Sequence, residues 1–117
     1  MSSYFPAYLN LNGRRCAVIG GGLEAERQTQ LLLEHGAHLT IISPKVTVIL
    51  KDLVNRGLVD WESRGYQAGD LDGVLLAFTE SDDPMLCEQV ALEAELRSVL
   101  LNVAEMPSLS SFSFHHG

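Results

Sequence analysis

Positive charge is scarce in this chain. Its 117 residues hold 8 Lys and Arg against 15 Asp and Glu, a formal net charge of −7. A nucleic-acid partner calls for a basic face to neutralise phosphates, so this balance argues against one. Cysteine is scarcer still. Cys16 and Cys87 form no C-x-x-C pair, and two cysteines alone cannot build a zinc site, so no metal site is expected. Cys16 opens an apolar run and reads as a buried core thiol. No apolar run approaches the length of a membrane span, so no membrane partner is expected. The first residues are polar and aromatic rather than basic and then apolar, which is not the pattern of a signal peptide. Together these absences predict a cytoplasmic protein. Repeats, low-complexity tracts and linkers are also missing, which leaves one domain over residues 1–117. Hydrophobic residues make up 46% and charged residues 20%, the balance of a globular fold with one core rather than of a disordered segment.

What the chain does have is alternation of strand-like and helix-like segments. Arg15–Ile19 is a short apolar strand that runs into three glycines. Leu23–His35 reads as a helix, because Ala25, Thr29, Leu32 and Leu33 fall on one face and Gly36 supplies the stop. His38–Ile42, rich in β-branched residues, is a second strand. Thr47 caps a second helix whose inner face carries Leu50, Leu53 and Val54, with Gly57 ending it. Leu58–Glu62 reads as a third strand. Gly73–Phe78 is a near-continuous apolar run, as in a strand buried on both faces. Asp83-Pro84 starts a helix, with Asp at the cap and Pro at the first helical position, and Leu86, Val90, Ala91 and Ala94 face inward. Ser98–Val103 is a further buried strand. Alternation of this kind predicts an α/β fold of the Rossmann type: a doubly wound parallel sheet in three layers, α/β/α. In such sheets ligands bind beyond the carboxyl ends of the strands, where the strand order switches. The segments of interest are therefore Gly20–Ala25, Ser43–Lys45, Thr79–Asp82 and Ala104–Met106.

The turn Gly20-Gly21-Gly22-Leu23-Glu24-Ala25 fits G-x-G-x-x-A. Gly20 permits the sharp exit from the strand. Gly22 lacks a Cβ, so a pyrophosphate can approach the backbone. Ala25 is small, so the helix can lie close to the strand. The N–H groups at the helix start then face the pyrophosphate, aided by the helix dipole. The pattern follows a strand and opens a helix, which is the context that gives it meaning. A bound NAD or NADP is the expectation. The acid that NAD sites place at the end of the second strand for the ribose is absent; the strand ends Ile42-Ser43-Pro44-Lys45. Ser43 could hydrogen-bond a ribose hydroxyl. Lys45 could approach the adenosine side or a 2′-phosphate, or simply be a solvated lysine ahead of a helix. NAD against NADP stays open on these residues.

Beyond the turn, Tyr4-Phe5-Pro6, Leu9-Asn10-Leu11-Asn12-Gly13-Arg14 and Ala17–Arg27 resemble the amino-terminal domain of siroheme synthases. Further matches are Leu31–Ala37, Ser43-Pro44, Tyr66 with Asp70-Leu71, Asp82-Asp83-Pro84 and Asn102-Val103. That family comprises NAD-dependent precorrin-2 dehydrogenases, some of which are also sirohydrochlorin ferrochelatases, in siroheme and porphyrin biosynthesis. The resemblance implies an oxidoreductase that takes hydride from precorrin-2, a tetrapyrrole, to give sirohydrochlorin. It implies cofactor contacts from Gly20, Gly21, Gly22, Leu23, Glu24, Ala25, Ser43, Pro44, Lys45, Thr79, Glu80, Asn102 and Val103. It also implies a homodimer. The family offers an Asp after the Asn-Val strand as its acid–base group, and Glu105 matches it one methylene longer.

Three departures stand against that pattern. Gln28 replaces a Lys. Thr79-Glu80 replaces small residues beside the cofactor, where a carboxylate could hydrogen-bond a ribose or repel a phosphate. The family also continues into a dimerising region, so the chain reads as a fragment or a short relative. A non-catalytic or degenerate dinucleotide-binding, regulatory module is the alternative. His115 and His116, adjacent in an extended tail, make a poor chelating pair.

Overall fold

The computed structural model describes residues 3–114. Five strands alternate with three helices: β1 (Arg15–Ile19), α1 (Leu23–Glu34), β2 (His38–Ile42), α2 (Val48–Asn55), β3 (Asp60–Glu62), β4 (Leu76–Thr79), α3 (Pro84–Leu96) and β5 (Leu100–Val103). All pairings are parallel and the spatial order is β3-β2-β1-β4-β5. The expected fold class is thus the observed one.

Why the sheet is buried on both sides follows from period-two alternation along β1. Cys16 and Val18 point into a cluster with Ala25 and Leu32 of α1 and Leu50 and Leu53 of α2. Ala17 and Ile19 point the other way, into a cluster with Cys87, Val90 and Ala94 of α3. The helices therefore cover the sheet in three layers. Phe78 of β4 is 1% exposed and stands in the first cluster. The long connection from β3 to β4 crosses on the α3 side, where Leu71 is fully buried and Tyr66 packs beside it.

Local chemistry sets the element ends. Thr47 Oγ1 accepts from the Leu50 amide at 3.2 Å, the expected N-cap of α2. Asp83 Oδ1 accepts from the Met85 amide at 3.0 Å, with Pro84 in the first turn of α3. His35 closes α1, its Nδ1 lying 2.9 Å from the Leu31 carbonyl oxygen. Three strands begin later than the apolar runs that announce them. Leu58, Gly73 and Ser98 all precede their ladders: Val59 and Val99 are buried, and Val74 and Leu75 half-buried, ahead of the first strand residue of each. On α3 the inner face is Cys87, Val90 and Ala94, with Leu86 and Ala91 only half-buried at its flanks.

The aromatic lead of the chain stands outside the regular elements. Phe5 is 87% exposed and residues 3–10 have no regular structure. β1 is the central strand, paired on both sides, so it has no edge for Tyr4 and Phe5 to cover. The edges of the sheet belong to β3 and β5, and the carboxyl-terminal segment lies along β5. Ser110 and Ser111 hydroxyls accept from the Val103 and Leu101 amides, each at 2.8 Å. Phe114 then stacks edge-on against Phe112 and Phe78, with centroids 5.1 and 6.2 Å apart. His115 and His116 lie outside the described residues.

The crossover connection carries a forked ion pair. Arg64 donates from Nη1 and Nη2 to Asp70, both at 2.9 Å, and the Gln67 amide donates to the same carboxylate at 2.7 Å. Burial pushes the Asp70 carboxyl up, but the Arg64 bonds, the Gln67 amide and the Arg64 charge outweigh it and hold it below the ordinary 3.8. A depressed acid stabilises the fold above its unfolded value and loses that contribution as pH falls through the folded one. Asp70→Asn should therefore lower Tm at neutral pH, and the gap from wild type should close as the pH drops below the ordinary carboxylate range. A pH series of thermal melts reads this directly.

Both thiols are protected. Burial raises Cys16 despite Arg14 and the Leu76 backbone, and burial with Asp83 and Asp82 raises Cys87. Thiolate is the reactive form, so an aromatic disulfide reagent should label neither cysteine in the native protein and both after unfolding.

Candidate dinucleotide site

The strand order reverses at β1 and β4, so their carboxyl ends open the crevice where ligands of open α/β sheets bind. Three loops meet there. β1 ends in the glycine turn, β2 ends in Ser43–Lys45, and β4 ends in Thr79-Glu80. Pairing carries the loops into register: Ile19 lies opposite both Ile42 and Thr79.

Each glycine answers to a particular neighbour. Gly20 has φ +126°, a conformation that side chains rarely adopt, and a Cβ there would fall 2.6 Å from the Glu80 carbonyl oxygen. Gly21 lies under the β2 loop, and its own carbonyl accepts from the Thr47 amide at 3.0 Å. A Cβ on Gly21 would overlap the Lys45 carbonyl oxygen at 1.9 Å. Gly21 was expected only as a cofactor contact; the glycine pattern leaves this position free, and only the folded β2 loop reveals why a side chain has no room there. Gly22 is the N-cap of α1, with no side chain of its own to cap the helix. Ala25 is fully buried against β1, as its small size requires.

The first amides of α1 do have a partner. Glu80 Oε1 accepts from the Ala25 amide at 2.9 Å and Oε2 accepts from the Glu24 amide at 3.3 Å. A Cβ on Gly22 would sit 3.0 Å from both carboxylate oxygens. The half-buried Glu80 carboxylate therefore fills the hollow that the missing Gly22 side chain leaves. Capping of this kind stabilises a helix by about 0.5–2 kcal/mol. Among the described residues no Lys or Arg pairs with Glu80. Glu24 is itself held by Arg27 at 2.8 Å.

The other expected contacts divide. Leu23, Pro44 and Lys45 are exposed at the rim of the crevice. Ser43 is buried and its hydroxyl donates to the Lys45 carbonyl at 2.6 Å, while its own carbonyl accepts from Trp61 Nε1 at 2.8 Å. The Ser43 proton is thus committed to shaping the loop. Thr79 is fully buried and reaches the crevice only through its backbone, its carbonyl accepting from the Ala104 amide at 2.9 Å. Asn102 Nδ2 donates to the Phe112 carbonyl at 2.9 Å, anchoring the tail, and Val103 is buried. Glu105 stands exposed in the turn after β5, two strands from β1 and so about 10 Å along the sheet edge. The structure brings together Gly20 to Ala25, Ser43, Lys45 and Glu80, and leaves Asn102, Val103 and Glu105 at a distance. Among the described residues no group of three His, Cys, Asp or Glu is placed to hold a metal ion.

A five-stranded parallel sheet with a glycine turn at its switch point is a dinucleotide-binding α/β domain of the Rossmann type. The profile of the family described as "Putative NAD(P)-binding" matches residues 7–116, and the chain belongs to that family. It is 40% identical over 111 residues to the siroheme synthase of Azotobacter vinelandii, covering 95% of this chain and 24% of that protein. The siroheme synthase of Pseudomonas entomophila gives the same identity and coverage. The chain thus spans about a quarter of the length of the curated relatives it matches. The solved structure of "SirC, precorrin-2 dehydrogenase" shares the fold, with a TM-score of 0.72 at 23% identity, over 97% of this chain and 52% of that one. The likeness to siroheme synthases read in the sequence is borne out over nearly all of the chain.

The turn gives a direct test. The Gly21 clash is with backbone, whereas the Gly22 neighbour is the movable end of a side chain. Gly21→Ala should lower Tm markedly, and Gly22→Ala should melt close to wild type, in parallel scanning calorimetry.

Proposed function

We propose that the chain binds NAD at the glycine turn and forms the cofactor-binding part of a precorrin-2 dehydrogenase in siroheme biosynthesis. The observation that carries this reading is the hollow over Gly22, where the Glu24 and Ala25 amides already hold an anion. The same amides suit a pyrophosphate once the Glu80 side chain turns aside, so the residues present fit the cofactor. NAD, when bound, supplies the hydride acceptor. The chain supplies position: Gly20–Ala25 for the pyrophosphate, the Ser43–Lys45 loop for the adenosine side, and the rim beyond β4 and β5 for the macrocycle. NADP is accommodated on this reading if Lys45 meets a 2′-phosphate. Glu105 is the candidate acid–base group, exposed on that rim and free to reach a bound substrate. The named relatives support precorrin-2 as substrate, and the tetrapyrrole would lie across the strand ends, less enclosed by one copy than by a homodimer. A cytoplasmic setting fits the acidic charge and the two free, buried cysteines. Among the described residues no helix is long and apolar enough to cross a membrane.

A second reading is a dinucleotide-binding module without turnover. It is favoured by Glu105, which no described residue holds in place by a hydrogen bond. The two readings separate in one experiment. Titration with NADH, followed by nicotinamide fluorescence, should saturate; no binding at millimolar cofactor would remove both. Incubation with precorrin-2 and NAD should then produce sirohydrochlorin absorbance, and Glu105→Ala should slow it by about 100-fold or more. Binding without turnover selects the module, and turnover untouched by Glu105→Ala removes the role of that residue.

A further inference from the structure

The carboxylate of Glu80 stands where a bound dinucleotide would need its own anion. Its two oxygens take the Glu24 and Ala25 amides and lie against the Cβ-less face of Gly22. Those are the features by which a glycine turn holds a pyrophosphate. Two anions cannot share one pair of amides. Nor does a cation pair with Glu80 among the described residues: Arg27 of α1 is taken up by Glu24, and Lys45 is exposed. The backbone of Glu80 cannot drift away to relieve the conflict. Its amide donates to the Ile19 carbonyl at 2.8 Å, which ties the residue to β1 beside the turn.

We propose that Glu80 is a built-in competing anion that closes the pyrophosphate cradle of the free protein and must rotate out for a dinucleotide to bind. The proposal rests on NAD binding at the glycine turn, and it adds a control on that site. Glu80 stabilises the free state by capping α1, and each bond it makes there is lost on cofactor entry. The chain therefore binds NAD more weakly than the same fold with a small side chain at position 80. The departing carboxylate also remains close by, since only its side-chain torsions can move it, and it repels the phosphates from its new position.

Calorimetric titration of NAD into the wild-type chain, Glu80→Ala and Glu80→Gln tests this. Glu80→Ala should bind at least about tenfold more tightly, the scale of a charge-assisted bond pair that no longer needs breaking. Glu80→Gln keeps the length and loses the charge, so its affinity should fall between the two. In amide spectra without cofactor, the Glu24 and Ala25 resonances should move in Glu80→Ala, and its apo Tm should fall as the cap is lost. Equal or weaker binding by Glu80→Ala, with the wild type still binding, overturns the proposal and leaves the cofactor reading standing. It would mean that Glu80 helps hold the dinucleotide. Failure of all three proteins to bind removes the cofactor reading, and the proposal with it.

Discussion

The first amides of α1 have no partner within their own helix, and the geometry of the site follows from what accepts their hydrogen bonds. An Asp, Ser or Thr at the N-cap would satisfy them locally. This chain has Gly22 there, with no side chain to offer. The acceptor must then come from elsewhere in the fold, and β4 brings it. Because β4 pairs with β1, the residue after its last strand position arrives beside the turn, and Glu80 is long enough to reach both amides. The same closeness forbids a Cβ at Gly20, which would meet the Glu80 backbone, and at Gly22 the Glu80 carboxylate occupies the space that a side chain would otherwise take.

Placing β4 there is the work of the core. β1, β4 and their partners are buried on both faces, and each face has its own helices. Burial of Phe78 on one side and of Ala77 on the other fixes which way every residue of β4 points. A one-residue slip would send Phe78 into the α3 layer, against Cys87 and Val90, where only small side chains leave room. Truncating Phe78 would cost about 3–5 kcal/mol on general grounds, a large part of the stability of a domain this size. The precision of the site thus rests on apolar packing just two and three residues before Glu80.

Much of this was legible in the residues. β1 and β2 were readable to their ends because their apolar runs coincide with their ladders. Thr47 and Asp83 were readable as caps because capping is local chemistry. The parallel order followed from alternation alone. What escaped was everything set by neighbours distant in sequence. Apolar character marks burial rather than pairing, so Leu58, Gly73 and Ser98 looked like strand starts. Ser43 looked available to a ribose until its hydroxyl was found donating to Lys45. Glu80 was legible as a carboxylate near a phosphate site, but whether it would assist or exclude depended on its separation from two amides, which no spacing in the chain encodes.

The glycine motif therefore describes a capacity of the backbone rather than its occupant. Gly20, Gly22 and Ala25 create an anion cradle that any acceptor of suitable reach can fill, and the neighbouring strand decides which acceptor does so first. A small residue after β4 would leave the α1 amides to water until a ligand arrived. A glutamate there caps the helix from outside and makes the free domain more stable at the expense of its readiness to bind. Stability and binding then draw on the same two hydrogen bonds. Affinity in this fold is thus set as much by the residue that follows β4 as by the glycines that define the turn.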